Sequence, residues 1–149
     1  MRISQRGLYA LKALCHLAER HGEGVVRVGE IAEAEGLPEK FLEGILVFLK
    51  NARIVSSRRG RDGGYALRRT PDAIVLGEVI RLVDGPLAPF GDAEELTRRV
   101  RTERRQAGLF EVFLEVRNAA AAILDHTTLA DVLARNRRLA LAARRRGGR

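Results

Sequence analysis

The stretch SSRRGRDGGYALRR, residues 56–69, sets Arg58, Arg59, Arg61, Arg68 and Arg69 against a single acid, Asp62, with Gly60, Gly63 and Gly64 among them. Guanidinium groups on a glycine-broken turn suit the binding of phosphates, because each carries a permanent charge and a rigid fork of N–H donors. Just upstream, Glu39, Lys40 and Glu43 recur at three- and four-residue spacing. A carboxylate on an exposed helix face can accept from cytosine N4, and an ammonium there can reach guanine or phosphate. Other chemistries lack their residues. No Ser/His/Asp or Cys/His arrangement has the spacing for nucleophilic catalysis, so the chain is not expected to be an enzyme. His16, His21 and His126 share no metal-ligand spacing and are expected in solvated or capping roles. The lone Cys15 excludes an intramolecular disulfide and a cysteine-based zinc site; it reads as a small core residue. GRDGG is no nucleotide-cradling loop, since a strand and not a helix follows it.

These groups need elements to hold them. Residues 4–20 read as a helix with Leu8, Leu11, Leu14, Cys15 and Ala18 on its apolar side, broken by HGEG. Residues 28–35 form a short helix stopped by Gly36. Pro38 then opens a third helix at its first position, running to about Ala52. Its stripe Leu42, Ile45, Leu46, Leu49 must face a core, which turns Glu39, Lys40, Glu43, Val47 and Lys50 outward. Two helices joined by a short glycine turn make a helix-turn-helix. IVSSR and YALRR flank GRDGG as a hairpin, and a hairpin directly after a helix-turn-helix is a wing. Its arginines lie at a tip suited to phosphates or a narrow minor groove.

Beyond the wing, residues 74–84 give an extended piece and a helix ended by Gly85 and Pro86. Asp92 and Glu95 are spaced as a helix N-cap pair. The following TRRVRTERRQ reads as a solvated helix face, because glutamates interleave with its arginines, and Gly108 is expected to interrupt it. Leu109, Val112, Phe113, Val116, Ala120, Ile123 and Leu124 then build an apolar stripe too long for one chain of this size to cover, so a second copy is expected on it. Thr128 and Asp131 cap a last short helix, LADVLARN. The arginine-rich end, with Arg144, Arg145, Arg146 and Arg149, is expected to be disordered.

Composition agrees with a binding protein. The chain has 149 residues, a net charge of +8 and a pI near 10.9, which favours a polyanionic partner. With 5% aromatic residues and no Trp, the core must be aliphatic. No apolar run approaches a membrane span, and the N-terminus lacks a secretory pattern, so no membrane association and a cytoplasmic location are expected.

With RGLYALKALCHLA, VGEIAEAEGLPEKFLEGILVFLKNARIVSSRRGRDGGYAL, IVLGEVIRLVDGP and a final TLADVL in that order, the chain resembles the IscR/NsrR/CymR-type regulators (the Rrf-two family). The likeness is tight over residues 2–86 and looser over 108–134. It implies a mainly α fold with a small β-hairpin wing, in which a winged helix-turn-helix is followed by a long C-terminal dimerisation helix. It implies four regions. Residues 1–85 bind DNA, 86–107 form a charged linker, 108–135 hold the dimerisation and capping helices, and 136–149 are the basic tail. It implies a homodimeric transcriptional regulator, expected to be a repressor, that reads a pseudo-palindrome in double-stranded DNA and answers to a small-molecule or protein effector. The third helix, through Glu39, Lys40 and Glu43, would enter the major groove. The wing would add Ser57, Arg58, Arg59 and Arg61. The alternative class is a basic winged-helix module that coats nucleic acid without sequence preference, or a protein adaptor on the same scaffold. Three departures stand out. Iron–sulfur members carry three cysteines between the fourth helix and the long helix; residues 86–108 hold none, so no cluster or other cofactor is expected. Arg53 replaces a glycine at the end of the third helix. Val75 replaces a threonine cap.

Overall fold

Ser4 starts the first helix, α1 (Gln5–Glu19), by accepting from the Gly7 amide at 2.9 Å, and both its amide and its hydroxyl bond the Asp84 carboxylate. The computed structural model describes residues 2–148. Six more helices follow: α2 (Val28–Glu35), α3 (Glu39–Asn51), α4 (Leu76–Asp84), α5 (Ala93–Thr102), α6 (Ala107–Asp125) and α7 (Leu129–Gly147). Between α3 and α4 lie β1 (Val55–Arg58) and β2 (Gly64–Leu67), an antiparallel hairpin pairing Val55 with Leu67 and Arg58 with Gly64. No helix among the described residues is long and apolar enough to cross a membrane.

The core lies where α1, α2 and α3 meet. Leu42, Ile45, Leu46 and Leu49 of α3 are all fully buried, each contributing about 1.5–3 kcal/mol of transfer free energy. They meet Leu14 and Leu17 of α1 and Ile31 of α2, and Ile54, Val55 and Leu67 seal the wing onto them. The buried face of α1 differs from expectation. Leu8 is 41% exposed, while Ala10, Ala13 and Leu17 go inside beside Leu14. Small side chains there let α4 and α7 come close; Gly7 faces the Asp84 carboxylate, where a Cβ would collide. Periodicity weighted by side-chain bulk selects the leucines; packing selects the alanines. Cys15 is half-buried against the same core.

The far end of the chain completes this core. Thr128 and Asp131 form the expected capping box. Leu76 donates to the Thr127 carbonyl and Leu129 to the Ile74 carbonyl, so α7 begins paired with the segment before α4, and Leu129 and Leu133 are buried in the core. Arg81 holds Asp125 by two bonds of 2.6 and 2.8 Å, which fixes the end of α6 against α4.

Several expectations are corrected. The last helix is not short, nor is the tail disordered: α7 runs to Gly147 because residues 129–146 hold only helix-compatible side chains, rich in Ala, Leu and Arg. Arg149 lies outside the described residues. The break before the long helix falls at the 3-10 turn Arg104–Gln106, and Gly108 sits inside the first turn of α6. Pro38 is the N-cap of α3 with extended dihedrals and not its first helical residue. His16 is not solvated. It is 9% exposed, with Nδ1 3.4 Å from Glu35 and Nε2 buried without a partner.

Candidate nucleic-acid interface

Burying Leu42, Ile45, Leu46 and Leu49 leaves α3 one direction for its polar side. Glu39, Lys40, Glu43, Val47 and Lys50 are all exposed. α2 ends on Gly36 in the left-handed conformation (φ 64°), and Leu37 donates back to the Ala32 carbonyl, so the two helices turn within three residues. Phe41 also stands on the surface, its ring edge-on to Tyr9 at 5.7 Å.

The wing is more than a hairpin. Val26 exchanges two backbone bonds of 2.8 Å with Tyr65, an isolated antiparallel bridge on the free edge of β2. Gly64 allows this close approach, since a Cβ there would run into the Val26 carbonyl. At the tip, Gly60 takes φ 104°, and Arg58 donates to the Asp62 carbonyl at 3.2 Å. Arg59 and Arg61 are exposed.

Between wing and helix lies an open depression of about 390 Å³, lined by Arg27, Lys50, Ser57, Arg58, Arg59 and Arg61. Its charged lining is wholly cationic, and the nearby acid, Asp62, points to solvent 3.7 Å from Arg27. Ser57, Arg58, Arg59 and Arg61 are thus brought together. Glu39, Lys40 and Glu43 lie apart from them on the outer face of α3, with Lys50 on the last turn between the two groups. Sequence reasoning missed Arg27 and placed Lys50 only on a helix face. Arg27 is the N-cap residue of α2, and its guanidinium donates to the Arg61 carbonyl at 2.8 Å. The run VVRV between glycine breaks and a helix start was the available signal for an extended segment, but not for its partner.

The end of α3 shapes this junction. Arg53 has φ 62°, the left-handed region, and is the sole non-glycine residue there among those described. Its amide bonds the Lys50 carbonyl and the Ile54 amide bonds that of Leu49, each at 2.9 Å. That pair of bonds is a Schellman cap, closed by contact of the buried Ile54 with Leu49. A glycine position is thus filled by arginine.

Metal-ligating groups do not converge anywhere comparable. The described residues contain no cluster of three or more His, Cys, Asp and Glu side chains able to hold an ion. Burial, then Glu35 and Glu19, pushes the Cys15 thiol up to about 11, so it stays protonated at neutral pH.

A family model described as "Rrf2: Iron-dependent Transcriptional regulator" matches residues 3–135. The HTH-type transcriptional regulator CymR of Bacillus subtilis (strain 168) is 38% identical over 134 residues, 89% of either chain. The HTH-type transcriptional regulator IscR of Sodalis glossinidius is 39% identical over 84 residues, 56% of this chain and 51% of that one. Among solved structures, CymR, "the Global Cysteine Regulator of B. subtilis", superposes with a TM-score of 0.73 at 36% identity, covering 89% of this chain and 95% of that one. An IscR from T. potens gives 0.70 at 33% identity, covering 91% and 88%. The donor set here does not fit the iron of the family description: one protonated, half-buried thiol on α1 cannot hold a cluster.

Proposed function

The chain belongs to the Rrf2 family of transcriptional regulators, and from that premise we propose that it is a homodimeric repressor reading a pseudo-palindromic DNA site in the cytoplasm. The observation that carries this reading is the continuity of two surfaces. The polar outer face of α3 runs through Lys50 into the cationic depression under the wing. In the proposed complex α3 enters the major groove, where Glu39, Lys40 and Glu43 reach base edges. The wing lies on the backbone or minor groove, with Ser57, Arg58, Arg59 and Arg61 on phosphates, and Arg27 joins them. Base edges supply discrimination and phosphates supply affinity. The DNA-binding unit spans residues 1–85, and 86–107 connects it to the dimerisation region 108–135. α6 supports that assignment: Leu109, Val112, Val116 and Ile123 are exposed along it, Val112 by 53% and Ile123 by 64%, as expected of a face awaiting a second copy. A dimer with one recognition helix per protomer reads half-sites about 34 Å apart or a multiple of that distance. Selection of preferred duplexes from a random pool, with sedimentation of the complex, tests the proposal. Recovery of a discrete palindrome bound by two chains is the expected result. Uniform coating of random DNA, or a monomer at micromolar concentration, would overturn it.

A further inference from the structure

The positive charge of this chain is not spread over its DNA-binding body. Seven of its 24 arginines lie beyond residue 131, where there is no acidic residue, and they supply all but one unit of the net charge of +8; the first 131 residues hold 20 basic and 19 acidic side chains. Six of the seven lie beyond residue 135, where the family match ends. We propose that the C-terminal half of α7 is a second, sequence-independent phosphate-binding arm, gripping the backbone of the same DNA that α3 reads. The proposal rests on the regulator reading above.

Four observations support it. First, the arm is a built element. Leu129 and Leu133 dock α7 on the core and nucleate it, so that the following turns propagate as helix with every side chain from 134 to 148 exposed. Second, its charges are free. Among the described residues, Arg135, Arg137, Arg138, Arg144, Arg145 and Arg146 form no ion pair, whereas Arg20, Arg69, Arg81 and Arg99 elsewhere each have a carboxylate within 2.7 Å. Six like charges on one helix repel each other, and a polyanion relieves that cost. Third, the charges recur on one side of the arm. Arg137 and Arg144, and likewise Arg138 and Arg145, are seven residues and two turns apart, about 10.5 Å along the axis, so each pair shares one face of the helix and the four form a stripe along it. The arm also starts beside the end of α1, one residue from a contact with α2. Asn136 and Arg137 border a cleft with Ala18 and Glu19 at the end of α1, and there Arg20 bonds Glu30 of α2, the helix that crosses the DNA backbone in this motif.

The test is the salt dependence of DNA binding by the full-length protein with Arg137, Arg138, Arg144, Arg145 and Arg146 changed together to Gln. Circular dichroism and sedimentation check the fold and the dimer, and a variant with only Arg144→Gln, Arg145→Gln and Arg146→Gln covers the case in which the larger set does not fold. Each neutralised phosphate contributes about 0.9 to the log–log salt slope, so the slope of the dimer should flatten by roughly two to four units. Affinity should fall at least about tenfold, for the selected site and for random duplex alike, with the selected sequence unchanged. The same positions changed to Lys should keep the slope within about one unit. An unchanged slope in the Gln variants refutes the arm while leaving the regulator reading intact. Loss of binding to anionic lipid vesicles with an unchanged DNA slope refutes it in favour of a membrane surface. If the parent protein selects no DNA at all, both readings fall.

Discussion

Replacing Arg53 with glycine should make this protein more stable, although the change deletes a long side chain. Arg53 sits at φ 62° in the Schellman cap that ends α3. A side chain in the left-handed region costs roughly 1–2 kcal/mol, because Cβ crowds the following carbonyl oxygen. Glycine removes that strain but has more freedom to lose on folding, which costs about 0.5–1 kcal/mol. Arg53 is exposed and has neither a side-chain hydrogen bond nor an ion pair among the described residues, so no contact offsets the gain. The net expectation for Arg53→Gly is about 0.5–1 kcal/mol of added stability. For a domain of this length that is a rise of about 1–4 °C in Tm. Arg53→Ala is the control: it loses the same guanidinium but keeps Cβ, so its stability should stay within a few tenths of a kcal/mol of the parent. Urea and thermal unfolding of the three proteins, at equal concentration, measure the difference. Equal stability of the Gly and Ala variants would show that the left-handed backbone is not strained as argued. A loss of stability in the Gly variant would refute the cap geometry itself.

Further outcomes are expected at the interface and in the frame. Glu43→Ala should leave random-DNA binding equal or tighter, while discrimination at one half-site position falls by about 1–3 kcal/mol; an unchanged selected sequence would remove Glu43 from the base-reading set. Arg61→Ala should weaken specific and random duplex by similar factors and flatten the salt slope by about 0.9 for each phosphate it neutralises, read from binding isotherms at several salt concentrations. Val116→Glu, on the exposed face of α6, should shift the protein to monomer in sedimentation without lowering its helix content. The Arg81 hydrogen bonds hold the Asp125 carboxyl below its ordinary value of 3.8, so that pair stabilises the fold above about pH 4 and loses its effect as pH falls through the lowered value. Asp125→Asn should therefore trail the parent in urea midpoint at pH 7, with the gap narrowing as pH is taken toward 2.

What the sequence determined about this protein is what neighbours along the chain decide. The Leu42-Ile45-Leu46-Leu49 stripe fixes which side of α3 is polar, because a helix repeats every 3.6 residues whatever surrounds it. Gly36 stops α2, Thr128 and Asp131 cap α7, and the GRDGG turn between β-branched and aromatic runs makes the wing; each signal acts within a few residues. The regulator family was legible for the same reason, since its motifs are runs of such local signals. Tertiary structure decided the rest. Whether Leu8 or Ala13 of α1 is buried depends on how closely α4 and α7 approach, and those helices are encoded some 60 to 120 residues away. Arg27 reaches the wing through backbone pairing of Val26 with Tyr65, a contact across 39 positions with no signature at either end. Arg53 is held left-handed because Ile54 must be buried beside Leu49, a demand of the core and not of arginine. The expected disorder of the tail failed by the same rule: composition alone describes a basic segment that cannot bury itself, but Leu129 and Leu133 anchor it in a distant core, and an anchored helix needs little further reason to continue.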